Sequence, residues 1–189
     1  MKTFSHHTSI SRCSKWATAL SAITISLLAC TASAKDEVPI QETWTSHTIS
    51  LANNPDGSQD SVSVVVGVGP HVGRFTGSEQ IHVEPPNPSQ YDPGTHSLLI
   101  PFTVSGTRSA ANRDTWSFTV EGVVIVPLDA NFMPLPLPYA WHATWENTGG
   151  TGRFVGQTGH GTSSGISYAD GTGSGTAIGV VSTVGSNKK

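Results

Sequence analysis

Two ionisable side chains occupy positions from which they could perform acid–base chemistry inside a β-sheet protein. Glu79 has the same parity as Phe75 and Val83, and His160 has the same parity as Phe154. Side chains two residues apart in a strand lie on the same face of the sheet, so each group shares a face with apolar residues. Burial raises the pKa of a carboxylate, which suits a general acid or base at neutral pH. We therefore predict Glu79 and His160 as candidate catalytic residues.

The opposite orientation of Glu79 remains open, because register is least certain in glycine-rich strands. A bulge between Gly77 and Glu79 would turn the carboxylate towards water.

Other kinds of catalytic site are not indicated. The six histidines after position 34 show no zinc-ligand spacing, and Ser163-Ser164-Gly165 lacks the context of a nucleophilic serine. The sequence therefore predicts neither a metal nor a cofactor.

Four large aromatic side chains form a second candidate site, for ligand binding: Trp116, Tyr139, Trp141 and Trp145. The last three share one parity within a single predicted strand, so their rings point to the same face. One interpretation is that these rings fill the core. The other is that they line a ligand cavity, which small barrels can hold.

The elements that must position these residues are β-strands. After position 34 the chain has no long 3.6-residue apolar periodicity, and short runs rich in valine, threonine and aromatic residues are separated by glycine, proline, asparagine and aspartate. In several runs apolar and polar residues alternate, as in the valines of 62–68, so one face of each is expected to be buried. The predicted strands are 43–51, 61–68, 72–84, 96–107, 115–127, 138–148, 152–164 and 172–184. Eight such strands in one domain predict a sandwich or a barrel, and closing the barrel removes exposed edges.

Residues 1–34 have the organisation of a secretory signal peptide. Three basic residues precede an uncharged apolar run over 16–29, and residues 32–34 form an A-x-A cleavage pattern. An alternative is a lipoprotein signal, because the Leu-Leu-Ala-Cys segment that ends at Cys30 resembles a bacterial lipobox, with Cys30 as the lipidated residue. The first cut predicts a periplasmic or extracellular protein and the second a lipid-anchored envelope protein. The predicted domains are a signal peptide, 1–34, and one β-barrel domain, 35–189, with its core over about 43–184.

The charge of the exported part argues against two classes of partner. All 13 acidic residues lie after position 34, together with seven of the ten basic ones. An acidic surface repels nucleic acid and anionic lipid, so neither is predicted as a partner. The apolar run at 16–29 is too short to span a bilayer, and no transmembrane segment is predicted in the mature chain. A small apolar molecule and a second copy of the chain remain as candidate partners.

Two segments share a Gly-Arg-Phe core and recur 79 residues apart, one beginning at Gly73 and the other at Gly152. A glycine two residues after each phenylalanine lies on the same face of a strand and leaves room for the ring over the backbone. We interpret both segments as bends in the wall of a barrel, with upstream glycines that supply backbone angles other residues resist. The structural motif comprises Gly73, Phe75, Gly77, Gly149, Gly150, Gly152, Phe154 and Gly156.

The stretch 148–156, Thr-Gly-Gly-Thr-Gly-Arg-Phe-Val-Gly, resembles the GGTGRF-x-G signature of dirigent and allene oxide cyclase-like barrels. Segments 72–77 and 110–118 also resemble exported bacterial proteins that carry this signature. The resemblance implies an eight-stranded antiparallel barrel, which is often trimeric in the plant members. Those members cyclise an unstable fatty-acid epoxide or orient radicals for coupling, and bacterial relatives close polyketide rings. The similarity covers the glycines and the phenylalanine, so it assigns no catalytic residue.

Three functions remain open on the sequence alone. The chain is predicted to be an exported β-barrel that binds a small apolar ligand. The first alternative is a cyclase-like or isomerase-like enzyme with an acid–base residue inside the barrel, for which Glu79 is the first residue to test. The second alternative is a structural or surface interaction protein whose core is filled by aromatic side chains.

Overall fold

The computed structural model describes residues 36–182. The predicted signal peptide and the alternative lipidation site at Cys30 lie outside the described residues. Nine strands follow one another along the described part of the chain. They are β1 (Glu37–Asn53), β2 (Gln59–Gly69), β3 (Gly73–Val83), β4 (Tyr91–Asp92), β5 (Ser97–Ala110), β6 (Thr115–Pro127), β7 (Tyr139–Gly150), β8 (Gly159–Ser167) and β9 (Thr172–Ser182).

Eight of these strands close into an antiparallel β-barrel. Hydrogen bonds join them in the order β3-β2-β1-β9-β8-β7-β6-β5, and β5 then pairs with β3 to complete the ring. The two-residue strand β4 pairs with the start of β5. Residues 36–182 contain no α-helix, and two short 3-10 turns lie at Pro88–Gln90 and Gly152–Phe154. The predicted fold class, all-β with a single antiparallel eight-stranded barrel, is therefore confirmed.

The predicted alternation holds in β5, β6 and β7, whose apolar parity faces the interior. Phe102 and Trp145, for example, are buried. Strand β2 differs, because its valines at 64, 66 and 68 point outwards and Val66 is 59% exposed. The inward positions of β2 include the small residues Ser63 and Gly67, and the ring of Phe75 from β3 occupies the room next to Gly67.

Inward glycines lie beneath aromatic rings that come from neighbouring strands. A methyl group on Gly67 of β2 would overlap the ring of Phe75 in β3. The same arrangement pairs Phe118 with Gly106, Trp145 with Gly161, Trp141 with Gly165 and Trp44 with Gly175. A ring placed over a cross-strand glycine fills the space that the missing side chain leaves. The predicted pairing of Phe75 with Gly77 in its own strand is therefore wrong, and the room above Gly77 is taken by Arg108.

The second Gly-Arg-Phe segment lies in a turn and not in a strand. The predicted strand 152–164 is replaced by the 3-10 turn Gly152–Phe154, and β8 begins only at Gly159. Gly152 and Gly156 have φ angles of +55° and +67°, which other residues rarely adopt. The turn places Phe154 in one end of the barrel, where its ring centroid lies 5.0 Å from that of Trp116. The interpretation of this segment as a bend in the wall is wrong, since it covers an end of the interior.

The glycines upstream of this turn end β7 at an irregularity in the sheet. Gly149 and Gly150 pair with β6, and the register between the two strands shifts just before them. A methyl group on Gly150 would lie 2.5 Å from the carbonyl oxygen of Thr115 and 2.6 Å from Cβ of Phe154. Only glycine therefore allows the turn to pack this closely against β6.

Candidate functional site

The interior of the barrel contains a cavity of about 440 Å³ that is partly open to solvent. All eight strands of the ring contribute side chains to its wall, and most of the wall is apolar. Apolar members from different strands include Ile40, Trp44, Ile81, Val104, Phe118 and Val120. A volume of this size lies in the range of sites that hold small organic molecules.

A buried cluster of three charged side chains interrupts the apolar wall. Arg108 of β5 donates from Nη1 to Glu42 Oε2 at 2.8 Å and from Nη2 to Glu79 Oε1 at 3.0 Å. Arg108 and Glu42 are each 5% exposed, and Glu79 is 7% exposed. One member comes from each of β1, β3 and β5, so the closed barrel brings together residues that are far apart in the chain. We call this group the Glu42–Arg108–Glu79 cluster.

Three aromatic rings surround the guanidinium of Arg108. Its Cζ lies 4.6 Å from the ring centroid of Trp44, 4.9 Å from that of Phe75 and 4.6 Å from that of Phe118. Ring faces attract a cation, and the attraction is stronger where water is excluded. Arg108 Nε has no hydrogen-bond partner among residues 36–182, so the rings and the two carboxylates together hold the side chain in place.

Two glycines give the cluster its room. Gly77 stands opposite Arg108 in the β3–β5 pair, and a methyl group there would lie 2.5 Å from the carbonyl oxygen of Thr107 and 3.0 Å from Cγ of Arg108. Gly69, at the end of β2, faces Glu42, whose Cγ would lie 2.8 Å from such a methyl group. The glycines thus let two long charged side chains lie flat against the inner wall.

The cluster contains two carboxylates for one guanidinium. Burial raises the pKa of Glu42 above its ordinary value, and the charge and hydrogen bond of Arg108 oppose this only in part. Glu42 therefore keeps its proton to a higher pH than an exposed glutamate does. Among the described residues, Glu42 Oε1 and Glu79 Oε2 accept no hydrogen bond from a side chain, although both residues line the cavity.

Hydroxyl groups supply further polar positions in the cavity wall. They come from β1, β2, β8 and β9 and comprise Ser46, Thr48, Ser61, Ser163, Ser167, Ser174 and Ser182. A hydroxyl can both donate and accept a hydrogen bond, so these groups can adapt to different polar atoms of a ligand.

Comparisons with known proteins assign no role to this cavity. No family model, no curated protein and no solved structure matches the chain. The chemistry of the site must therefore be argued from its own residues.

The two predicted catalytic residues lie on opposite sides of the barrel wall. Glu79 points inwards, as its parity with Phe75 predicts, and lines the cavity. Its pairing with β2 and β5 is regular, so the bulge that would have turned it outwards does not occur. His160 is exposed on the outer face of β8, and its predicted inward orientation is wrong. The turn at Gly152–Phe154 separates Phe154 from β8, so the parity of Phe154 says nothing about His160.

The predicted aromatic set is largely, but not wholly, at the cavity. Trp116, Trp141 and Trp145 line it. Tyr139 does not line it, because it begins β7 at the rim and its hydroxyl donates to the carbonyl oxygen of Leu135 at 2.7 Å. The rings therefore surround a cavity and do not fill the interior.

Sequence reasoning missed three residues of the site: Glu42, Trp44 and Arg108. The signal that could have found them is parity, since Glu42 and Trp44 share one face of β1, and Arg108 shares its face with the inward residues of β5. The predicted strand 43–51 begins one residue after Glu42, and the predicted strand 96–107 ends one residue before Arg108. Each prediction therefore stops one residue short of a charged member of the cluster.

Residues 36–182 contain no candidate metal site and no membrane-spanning helix. No group of three or more His, Cys, Asp or Glu in this range could hold a metal ion. No helix in the same range is long and apolar enough to cross a membrane.

Proposed function

We propose that the barrel binds a small, mainly apolar molecule that carries one polar group. The apolar body lies against the tryptophan, phenylalanine and valine side chains of the cavity, and the polar group meets the Glu42–Arg108–Glu79 cluster. One observation carries this proposal. A single space of about 440 Å³ inside the barrel combines an apolar wall with a buried charged cluster that has hydrogen-bonding capacity left over.

The cluster and the cavity are both poor devices for stability. Desolvating charged groups costs several kcal/mol per ion, and well-packed apolar residues of similar volume are often at least as stable (roughly 1–4 kcal/mol in measured cases). Unfilled volume also lowers stability, because the lining atoms lose contacts. An interior that served folding alone would be expected to be packed with apolar side chains. These costs therefore favour ligand binding over a purely structural role.

Native mass spectrometry of protein purified from its host tests the proposal. We expect a mass excess over the polypeptide that disappears on denaturation, because unfolding opens the barrel and releases a ligand held inside it. The same spectrum shows whether the chain forms homo-oligomers, which we also propose. The released compound can then be identified by its own mass and fragmentation.

A pair of neighbouring substitutions provides the control. Ala177 is buried in the cavity wall and Ile178 is 52% exposed on the outside of β9. Ala177→Phe projects a phenyl ring into the cavity and should reduce the mass excess, whereas Ile178→Phe should leave it unchanged. Circular dichroism shows whether both variants are folded. A folded Ala177→Phe protein that retains as much of the bound compound as wild type would contradict binding inside the barrel.

Acid–base catalysis is the second candidate, in the form of a cyclase or isomerase. It is favoured by the raised pKa of Glu42, since a carboxyl group that holds its proton in an apolar cavity can donate it to a substrate. Glu79 is the matching carboxylate on the other side of Arg108. Incubating the recovered compound with wild-type protein and with the Glu42→Gln and Glu79→Gln variants tests this. Conversion by wild type and by neither variant supports catalysis by these carboxyl groups, and conversion that is equal in all three excludes a catalytic role for Glu42 and Glu79.

Two further proposals concern origin and location. The GGTGRF-x-G resemblance supports a relation to the dirigent and allene oxide cyclase-like barrels, whose ligands are small and apolar. The signal-peptide pattern supports export, with cleavage after Ala34 or lipidation at Cys30. The N-terminal residue of the protein isolated from its host, determined by mass spectrometry, distinguishes a chain that begins at Lys35 from one that begins at a lipidated Cys30.

A further inference from the structure

The charge balance of the cluster bears on the chemistry of the ligand. Two carboxylates, those of Glu42 and Glu79, surround one guanidinium, and all three side chains are more than nine-tenths buried. With both carboxylates ionised, the cluster carries one negative charge that has no partner. An unpaired charge in an apolar environment is costly, so a cation or a proton must balance it.

Other charged groups in the cavity wall do not supply this cation. The wall also includes His71 and Arg153, both in turns between strands. Arg153 is 43% exposed, lies 3.8 Å from Asp114 and donates to the carbonyl oxygen of Val72. His71 is exposed to water. Solvent screens charges in such positions, so they do little for a buried carboxylate.

We infer that the polar group of the ligand is a protonated amine, which supplies the missing cation and donates hydrogen bonds to Glu42 Oε1 and Glu79 Oε2. The inference rests on the proposed function and adds a class of ligand to it, an amphipathic amine. An ammonium group has three donors, which suits two carboxylate oxygens that lack partners. The surrounding indole and phenyl rings also favour a cation.

The same geometry disfavours an anionic ligand at this position. A carboxylate next to Glu42 and Glu79 would meet two like charges, and Arg108 already donates to both of them. A neutral alcohol can donate one hydrogen bond to a carboxylate but leaves the charge unbalanced. The expected order of affinity is therefore amine, then alcohol, then carboxylic acid.

Three probes of equal chain length test this order: octylamine, octanol and octanoic acid. Four tryptophans line the cavity, so binding can be followed by their fluorescence in the full chain at pH 7. Charge-assisted hydrogen bonds are about twice as strong as neutral ones, which corresponds to roughly tenfold tighter binding of octylamine than of octanol. Octanoic acid should bind more weakly than either.

Glutamine variants identify the groups responsible. Glu42→Gln leaves Arg108 paired with Glu79 and removes the excess charge, so the preference for octylamine over octanol should fall to about one. Glu79→Gln should reduce the preference for octylamine in the same way, because it leaves Arg108 paired with Glu42. Glu146→Gln, on the exposed face of β7, is the matched control and should keep the preference. Thermal unfolding monitored by circular dichroism confirms that each variant is folded.

The outcomes separate this inference from the proposed function. If octanol or octanoic acid binds wild type as tightly as octylamine, or if both cluster variants keep the amine preference, the inference is overturned while ligand binding stands. If none of the probes changes the fluorescence and no compound copurifies with the protein, the proposed function and the inference fail together.

Discussion

Replacing Arg108 by methionine should destabilise the barrel strongly at neutral pH. The substitution leaves Glu42 and Glu79 buried without the guanidinium that both contact within 3.0 Å. Removing one partner of a buried ion pair costs about 3–5 kcal/mol, because the remaining charge is uncompensated. Methionine keeps apolar contact with the three surrounding rings, so most of this loss is electrostatic. A loss of this size is a large part of the roughly 5–15 kcal/mol by which domains are stable.

The pH dependence distinguishes lost charge pairing from lost packing. In wild type, Arg108 lowers the pKa of Glu42 against the larger effect of burial, so removing it raises that pKa further above 4.5. A carboxyl group whose pKa is raised in the folded protein lowers stability only when it ionises there. This cost appears as pH rises from the pKa of the group in the unfolded chain through its pKa in the folded protein. The difference in unfolding free energy between wild type and Arg108→Met should therefore shrink from pH 7 to pH 4. What remains at pH 4 reflects packing and the cation–π contacts, about 1–2 kcal/mol.

Urea unfolding followed by tryptophan fluorescence measures this difference at both pH values. Arg153→Met is the matched control, because Arg153 is partly exposed and its ion pair with Asp114 is long, at 3.8 Å. Exposed pairs contribute about 0–1 kcal/mol, at either pH. The reasoning is refuted if Arg108→Met costs no more than Arg153→Met at pH 7, or if its cost is the same at pH 4.

Three further substitutions test the fold and the site. Phe154→Ala should lower the free energy of unfolding by about 3–5 kcal/mol in urea, as for other buried phenylalanines. Val155→Ala, which alters an exposed neighbour, should lower it by less than about 0.5 kcal/mol. Equal losses would show that Phe154 does not cover the interior. Gly67→Ala should lower the free energy of unfolding by about 1–3 kcal/mol, because its methyl group would overlap a buried ring. Gly94→Ala should be nearly neutral, because the nearest contact of its methyl group is 3.3 Å away. An unchanged urea midpoint for Gly67→Ala would contradict the packing of rings over glycines. Glu42→Gln should gain stability relative to wild type as pH rises above 4.5, because the variant no longer has a buried carboxyl group with a raised pKa that must ionise. A relative gain in stability on acidification would contradict the raised pKa of Glu42.

The strands of the barrel could be predicted because their evidence is local. Alternation in 96–107 and 115–127 identifies β5 and β6 without knowledge of any partner strand, and both lie within a few residues of the predicted bounds. Local evidence fails in β2, where alternation is clear but the valine face is the outer one. Which face is inside depends on the size of the side chains that arrive from other strands, and no pattern within 61–68 contains that information.

The charged cluster could not be predicted, because it depends on contacts between distant strands. Glu42 and Arg108 are each a single charged residue at the edge of an apolar run, and such residues usually mark the end of a buried strand. Here the strands continue, since each charge has its partner inside the barrel. The partnership arises only when β3 closes on β5, which brings residues 66 positions apart into one ion pair.

The abundance of inward glycines links the fold to the proposed function. A glycine in the wall makes room for a large side chain from a neighbouring strand, and Gly67 beneath Phe75 shows that this room can be filled completely. Gly77 makes room for Arg108 instead, so this room is taken by a charged side chain that two carboxylates hold in place among three aromatic rings. If the cluster were replaced by apolar residues, the barrel should become more stable and its cavity smaller. Both features cost stability, so their presence supports the proposed binding function over a fold that serves stability alone.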